Sequence, residues 1–181
     1  MLLLLSAAAT GLAVVWDQRV VVVSVWTNEA SHSYEVDPQR AAKVLAGLMR
    51  ATGGVAAAAW RYDFPRNSRH LVLAATRTGQ SVLDGMDLVP ILRSGSHVSA
   101  RVLAEMWAGS VPCIEITNDA SVDVKFITAE TGATIYCITG VRTGDGDVRG
   151  SVMVFLTDKP TDQGFVTEAL RAAALGLLRR T

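Results

Sequence analysis

The sequence predicts an α+β domain: an antiparallel sheet with N- and C-terminal helices packed on one face, preceded by an apolar segment. Three observations carry this. Residues 38–54 and 160–180 place apolar side chains at helical spacing, one stretch near each end of the folded part. Between them lie runs of β-formers around turn residues, most clearly at 133–157. Half of the 181 residues are hydrophobic and 19% are charged, so the chain can bury a core and is not disordered throughout. Helices at both ends of a run of strands are the α+β arrangement. Seventeen basic residues balance seventeen acidic ones, which leaves no electrostatic footprint for nucleic acid.

Residues 1–16 carry no charged side chain; Asp17, Gln18 and Arg19 interrupt, and residues 20–26 are apolar again. A spanning helix needs about 20 apolar residues. The first run supplies only roughly 24 Å at ~1.5 Å per residue. Reading on to Trp26 reaches the length but includes Asp17 and Arg19, each costing roughly 2.5–3.5 kcal/mol at mid-membrane. The segment 1–26 is read as a membrane anchor, with the side of the membrane open. Its rivals are a buried or self-associating segment and a cleaved signal sequence, the last opposed by an n-region without Lys or Arg. Residues 27–36 read as a linker and 37–181 as the domain.

The first helix has Asp37 as N-cap and Pro38 in its first turn. Ala41, Val44, Leu45, Leu48 and Met49 form its apolar face, and Gly53-Gly54 end it. Residues 54–64 and 70–77 flank the polar turn Pro65–Arg69 as a hairpin. The four alanines Ala56–Ala59 would also suit a helix, but Gly54 and Pro65 bracket too short a run. Residues 79–90 are irregular. Ser94 or Ser96 caps a second helix with Val98, Val102, Leu103, Met106 and Trp107 on its apolar face, ended by Gly109. A short strand covers 111–117, and 125–129 forms a short helix or strand. Residues 133–142 and 148–157 make a second hairpin about Gly144-Asp145-Gly146, a strong turn signal between β-branched runs. Pro160 with Thr161 or Asp162 opens a last helix whose face is Val166, Leu170, Ala173 and Leu177. Arg179 and Arg180 suit its C-terminal dipole.

These phrases resemble a GAF domain over about residues 38–180. The strand GVAAAAW after the first helix, SARVLAEMWAGSVPCIEI, and the stretch from Gly132 through the hairpin, Gly150 and FVTEALRAAALGLL carry the likeness. The resemblance implies a sheet whose second face, under 79–109 and 118–130, holds a pocket. It also implies a sensory or binding role rather than catalysis, exerted through a protein partner or homo-oligomer, because no output segment follows. Neither the Asn-Lys…Phe…Asp-Glu pattern of cyclic-nucleotide GAF domains nor a Cys-His bilin attachment pair is present. The free methionine sulfoxide reductases of this superfamily use a set of cysteines, matched here only by Cys113 and Cys137.

The candidate pocket walls are Trp60, Tyr62, Trp107, Phe126 and Tyr136, apolar bodies with some polar tips, although core packing is the favoured reading for each. Cys113 and Cys137 fall in strands of one sheet, either as a redox pair or as buried small hydrophobes; two cysteines make no disulfide framework. His32, His70 and His97 lack ligand spacing, and Gly144–Asp147 lacks the glutamate of a calcium loop, so no metal is expected. Ser94-Gly-Ser-His97 reads as a cap rather than a triad. No cofactor is implied. The function expected is a membrane-associated binding or regulatory module for a small molecule or partner protein. The alternatives are a cysteine-dependent reductase and a self-associating structural or assembly component.

Overall fold

The computed structural model describes residues 34–79, 89–91 and 97–180. The expected anchor, most of the linker, Ser94 and Ser96 lie outside these residues. Among the described residues no helix is long and apolar enough to cross a membrane.

Six strands form one antiparallel sheet: β2 (Ala56–Asp63), β3 (Ser68–Thr76), β4 (Val89–Pro90), β5 (Cys113–Glu115), β6 (Ile135–Arg142) and β7 (Val148–Leu156). Their spatial order is β4-β3-β2-β7-β6-β5. The alanine run is a strand, as its brackets suggested. It lies between β3 and β7, and its alternation serves two cores: Ala57 and Ala59 face one side, Ala56 and Ala58 the other.

The first face is covered by α1 (Pro38–Thr52) and α4 (Gln163–Gly176), the terminal helices expected there. Local chemistry fixes both. Asp37 Oδ1 accepts from the Gln39 amide at 2.9 Å, and Gly53 closes α1 at φ 71°, a left-handed conformation that glycine adopts without penalty. Asp162 Oδ1 accepts from the Phe165 amide at 2.9 Å to cap α4. Leu45, Leu48, Val166 and Leu170 are buried against Val152, Val154 and Leu156. The second face carries α2 (His97–Trp107) and α3 (Val122–Thr131), the element left open as helix or strand. Val102, Leu103, Met106, Val124 and Ile127 pack there on Trp60, Tyr136, Ile138, Met153 and Phe155. The β6–β7 turn forms as expected, with Thr143 N donating to Asp147 O and Gly146 N to Thr143 O, each at 2.9 Å.

The ends differ from expectation. The last helix stops at Gly176, and Leu178–Arg180 form β8, paired antiparallel with β1 (Tyr34–Val36). Residues 34–36 therefore belong to the domain rather than to a linker. Burial of Val36 and Leu177 and the bond from Asp37 N to Leu177 O at 2.8 Å favour this closure over another helical turn.

Candidate functional site

On the α2/α3 face the strand register gathers polar groups within an apolar layer. Trp60 is opposite Ser151 on β7 and Leu71 on β3, and Tyr62 is opposite Arg69. Cross-strand partners share a face, so Trp60, Tyr62, Arg69 and Ser151 all point toward α2 and α3. Asp123 enters from the first turn of α3, where a negative charge also suits the helix dipole.

Arg69 and Asp123 form a buried ion pair. Arg69 Nη2 donates to Asp123 Oδ1 at 2.8 Å and to Oδ2 at 2.9 Å, and to Ser121 Oγ at 3.3 Å. The two side chains are 10% and 1% exposed, so each charge depends on the other in a low-dielectric setting. The guanidinium carbon lies 4.7 Å from the centroid of Trp60, a cation–π arrangement. Three buried polar groups of this cluster have no partner: Trp60 Nε1, Arg69 Nε and Ser151 Oγ. A native structure seldom leaves such groups unmatched.

Two phenols border this cluster. Tyr62 contacts Met106 Sδ from its hydroxyl at 4.0 Å; burial pushes its pKa up, opposed by the Arg69 charge. Tyr136 packs on Phe155 at 6.0 Å between rings, and burial pushes it up to about 12, again opposed by Arg69. Burial favours the neutral phenol of Tyr136, so its contribution to stability is complete below pH ~10 and is lost as pH rises toward about 12. Unfolding titrations across that window should show the folded protein losing stability. Tyr136→Phe should flatten the loss; an unchanged slope would place the effect elsewhere.

The expected wall residues divide. Trp60, Tyr62 and Tyr136 come together on one face. Trp107 and Phe126 do not join them: they are 49% and 50% exposed. Trp107 stacks on Phe64 at 5.6 Å with the rings tilted by 34°, and its carbonyl accepts from Arg142. Trp107 follows Met106, which takes the inward position at the end of α2, so the next residue turns outward. Trp107 is therefore neither a core anchor nor a wall of this cluster. Trp107→Ala should cost about 1 kcal/mol, as a half-exposed side chain, instead of the ~3–5 kcal/mol of a buried one. A urea melt showing the larger loss would contradict this.

Sequence reasoning missed Arg69, Asp123 and Ser151. A signal was present. Arg69 occupies the inward phase of an alternating strand that also contains Leu71, and Asp123 precedes the inward residues Val124 and Ile127. An open groove of about 880 Å³ lies elsewhere, between α1 and β3, bordered by Lys43, Ala46, Met49, Arg50, Leu73 and Arg77. This is the terminal-helix side, opposite the face on which a pocket is expected from the sequence. Among the described residues no group of His, Cys, Asp and Glu could hold a metal ion.

Cys113 and Cys137 are directly opposite on β5 and β6 and joined by a disulfide, which replaces the reading of them as separate small hydrophobes. The bridged pair lies on the α1/α4 face, away from Arg69.

No family model matches the chain, and no curated protein matches it. Solved structures do. One is a red/green cyanobacteriochrome in its green-light-absorbing state: 16% identity, TM-score 0.53, covering 75% of this chain and 86% of that one. A GAF domain/HD domain protein from Geobacter sulfurreducens has 12% identity and TM-score 0.53, covering 77% and 90%. The GAF domain of a two-component sensor histidine kinase from Bacillus halodurans has 8% identity and TM-score 0.53, covering 77% and 91%. At such identities the likeness speaks for the fold alone. Strand order, two helical layers and these neighbours agree: residues 34–180 have a GAF-like fold.

Proposed function

We propose that residues 34–180 form a binding module that takes a small, ring-bearing ligand with hydrogen-bond acceptors between the sheet and α2/α3. Occupancy would be passed to a partner protein. The observation that carries this reading is the set of buried polar groups without partners, Trp60 Nε1, Arg69 Nε and Ser151 Oγ, on the face bordered by two phenols. A ligand oxygen there would supply the missing acceptor, and the rings would supply apolar walls. The GAF-like fold supports the reading by analogy only. No specific observation favours the reductase or assembly alternatives.

Thermal melts of the full chain against a panel of aromatic carboxylates and amides test it. At least one compound should raise Tm, as a ligand at ~100 Kd adds about 2.7 kcal/mol. Trp60→Phe removes the indole donor and part of a fully buried ring, so it should lower the starting Tm through lost packing and abolish most of the ligand-induced rise. A rise undiminished in Trp60→Phe would remove the indole from the site, and no rise with any compound would count against the reading.

A further inference from the structure

We propose that the Cys113–Cys137 bond is a reversible thiol–disulfide site that fastens the α2–β5–α3 segment to the sheet. The inference rests on register and exposure, and is independent of which ligand the domain takes.

Cys113 and Cys137 occupy a non-hydrogen-bonded pair of an antiparallel ladder. The ladder bonds fall on either side, from Ile138 N to Pro112 O at 3.1 Å and from Ile116 N to Thr134 O at 2.8 Å. Non-hydrogen-bonded positions bring opposed side chains closest, so two cysteines there are placed to bond. β5 has three residues and lies at the edge of the sheet, joined to β6 alone. So short an edge strand has few ladder bonds to hold it once the cross-link opens. It also connects both helices of one face: α2 ends at Trp107 before it, and α3 begins at Val122 after it. The bridge thus ties the covering helices to the sheet at their midpoint.

Exposure is asymmetric. Cys137 is fully buried, whereas Cys113 is partly accessible at the edge. These are the chain's two cysteines, so no third thiol can exchange with them and the reductant must come from outside. A dithiol supplies it. One thiolate attacks Cys113 Sγ, the S–S bond breaks, and Cys137 leaves as a thiolate that takes up a proton. The second thiol then attacks the mixed disulfide and releases Cys113 as a thiol. Two electrons pass from the dithiol, which becomes a disulfide, and two protons end on the cysteines. Exchange with a disulfide oxidant reverses the sequence.

The test treats the full native chain with dithiothreitol, alkylates with iodoacetamide, and follows hydrogen exchange by mass spectrometry. Cys113 should be alkylated well before Cys137. Amides of residues 111–117 should exchange about tenfold faster or more in the reduced form, while those of α1 keep their protection. Reoxidation should restore the original pattern, and the double variant Cys113→Ser/Cys137→Ser should match the reduced form. A bond that dithiothreitol opens only under unfolding conditions would make it a permanent staple. Opening without faster exchange at 111–117 would show that it fastens nothing. Either result overturns the proposal.

Discussion

Asp123→Ala should cost about 3–5 kcal/mol in a urea unfolding titration, one of the largest losses expected from a single side chain here. The cause is less the lost attraction than the charge left behind. Arg69 is 10% exposed and its Nη2 spends its donors on both Asp123 oxygens and on Ser121. Without the carboxylate, a guanidinium remains buried and unpaired beside Trp60. The double substitution Arg69→Met/Asp123→Leu removes both charges at similar volume and should recover most of the loss, because a buried pair replaced by apolar groups is often near neutral. If the double variant is as unstable as the single one, the pair is not what Asp123 serves. The same double variant, being folded, should fail to bind ligand. That would separate the ion pair's structural cost from its place in the site.

Gly150→Ala should destabilise by at least about 3 kcal/mol or prevent folding, a cost in the range of severe overpacking. Gly150 is opposite Arg61 where β2 runs close to β7, next to the irregularity between Ala59 and Trp60. A Cβ at this position would penetrate the Trp60 carbonyl oxygen and sit 3.1 Å from Val36 Cγ2. The obstructing atom is strand backbone, so relief requires the two strands to separate. Gly144 provides the control: an added Cβ meets nothing within 4 Å, and Gly144→Ala should stay within roughly 0.5 kcal/mol of the parent. Equal behaviour of the two variants in thermal melts would contradict the close approach.

What the sequence made legible was local. Asp37 and Asp162 announce helix starts because a capping carboxylate acts within three residues, and both caps are present. Gly53 and the Thr143–Asp147 turn are readable for the same reason: glycine punctuation and a two-strand pattern need no distant partner. The sorting of apolar faces was also legible, since Leu45 and Leu170 repeat at helical period on both terminal helices.

What escaped depends on residues far apart in the chain. β8 forms because Leu178–Arg180 meet Tyr34–Val36 across the whole domain, and neither segment signals a strand by itself. Arg69 and Asp123 are 54 positions apart, and only the fold makes one the counter-ion of the other. Trp107 and Phe126 have the chemistry of a pocket wall. Helix phase turned them outward, while Met106 and Ile127 beside them took the inward positions. The pattern places both cysteines in one sheet, but their bonding depends on register, which a shift of one residue would destroy.

The proposed function requires that a ligand meet the buried donors on the α2/α3 face. The most direct measurement follows the indole N–H resonances of the isotopically labelled full chain during titration with the aromatic carboxylates and amides. A saturable shift of the Trp60 indole N–H is expected as it gains an acceptor, with a much smaller response from half-exposed Trp107. Saturable binding that moves Trp107 and leaves the Trp60 indole N–H unchanged would contradict it.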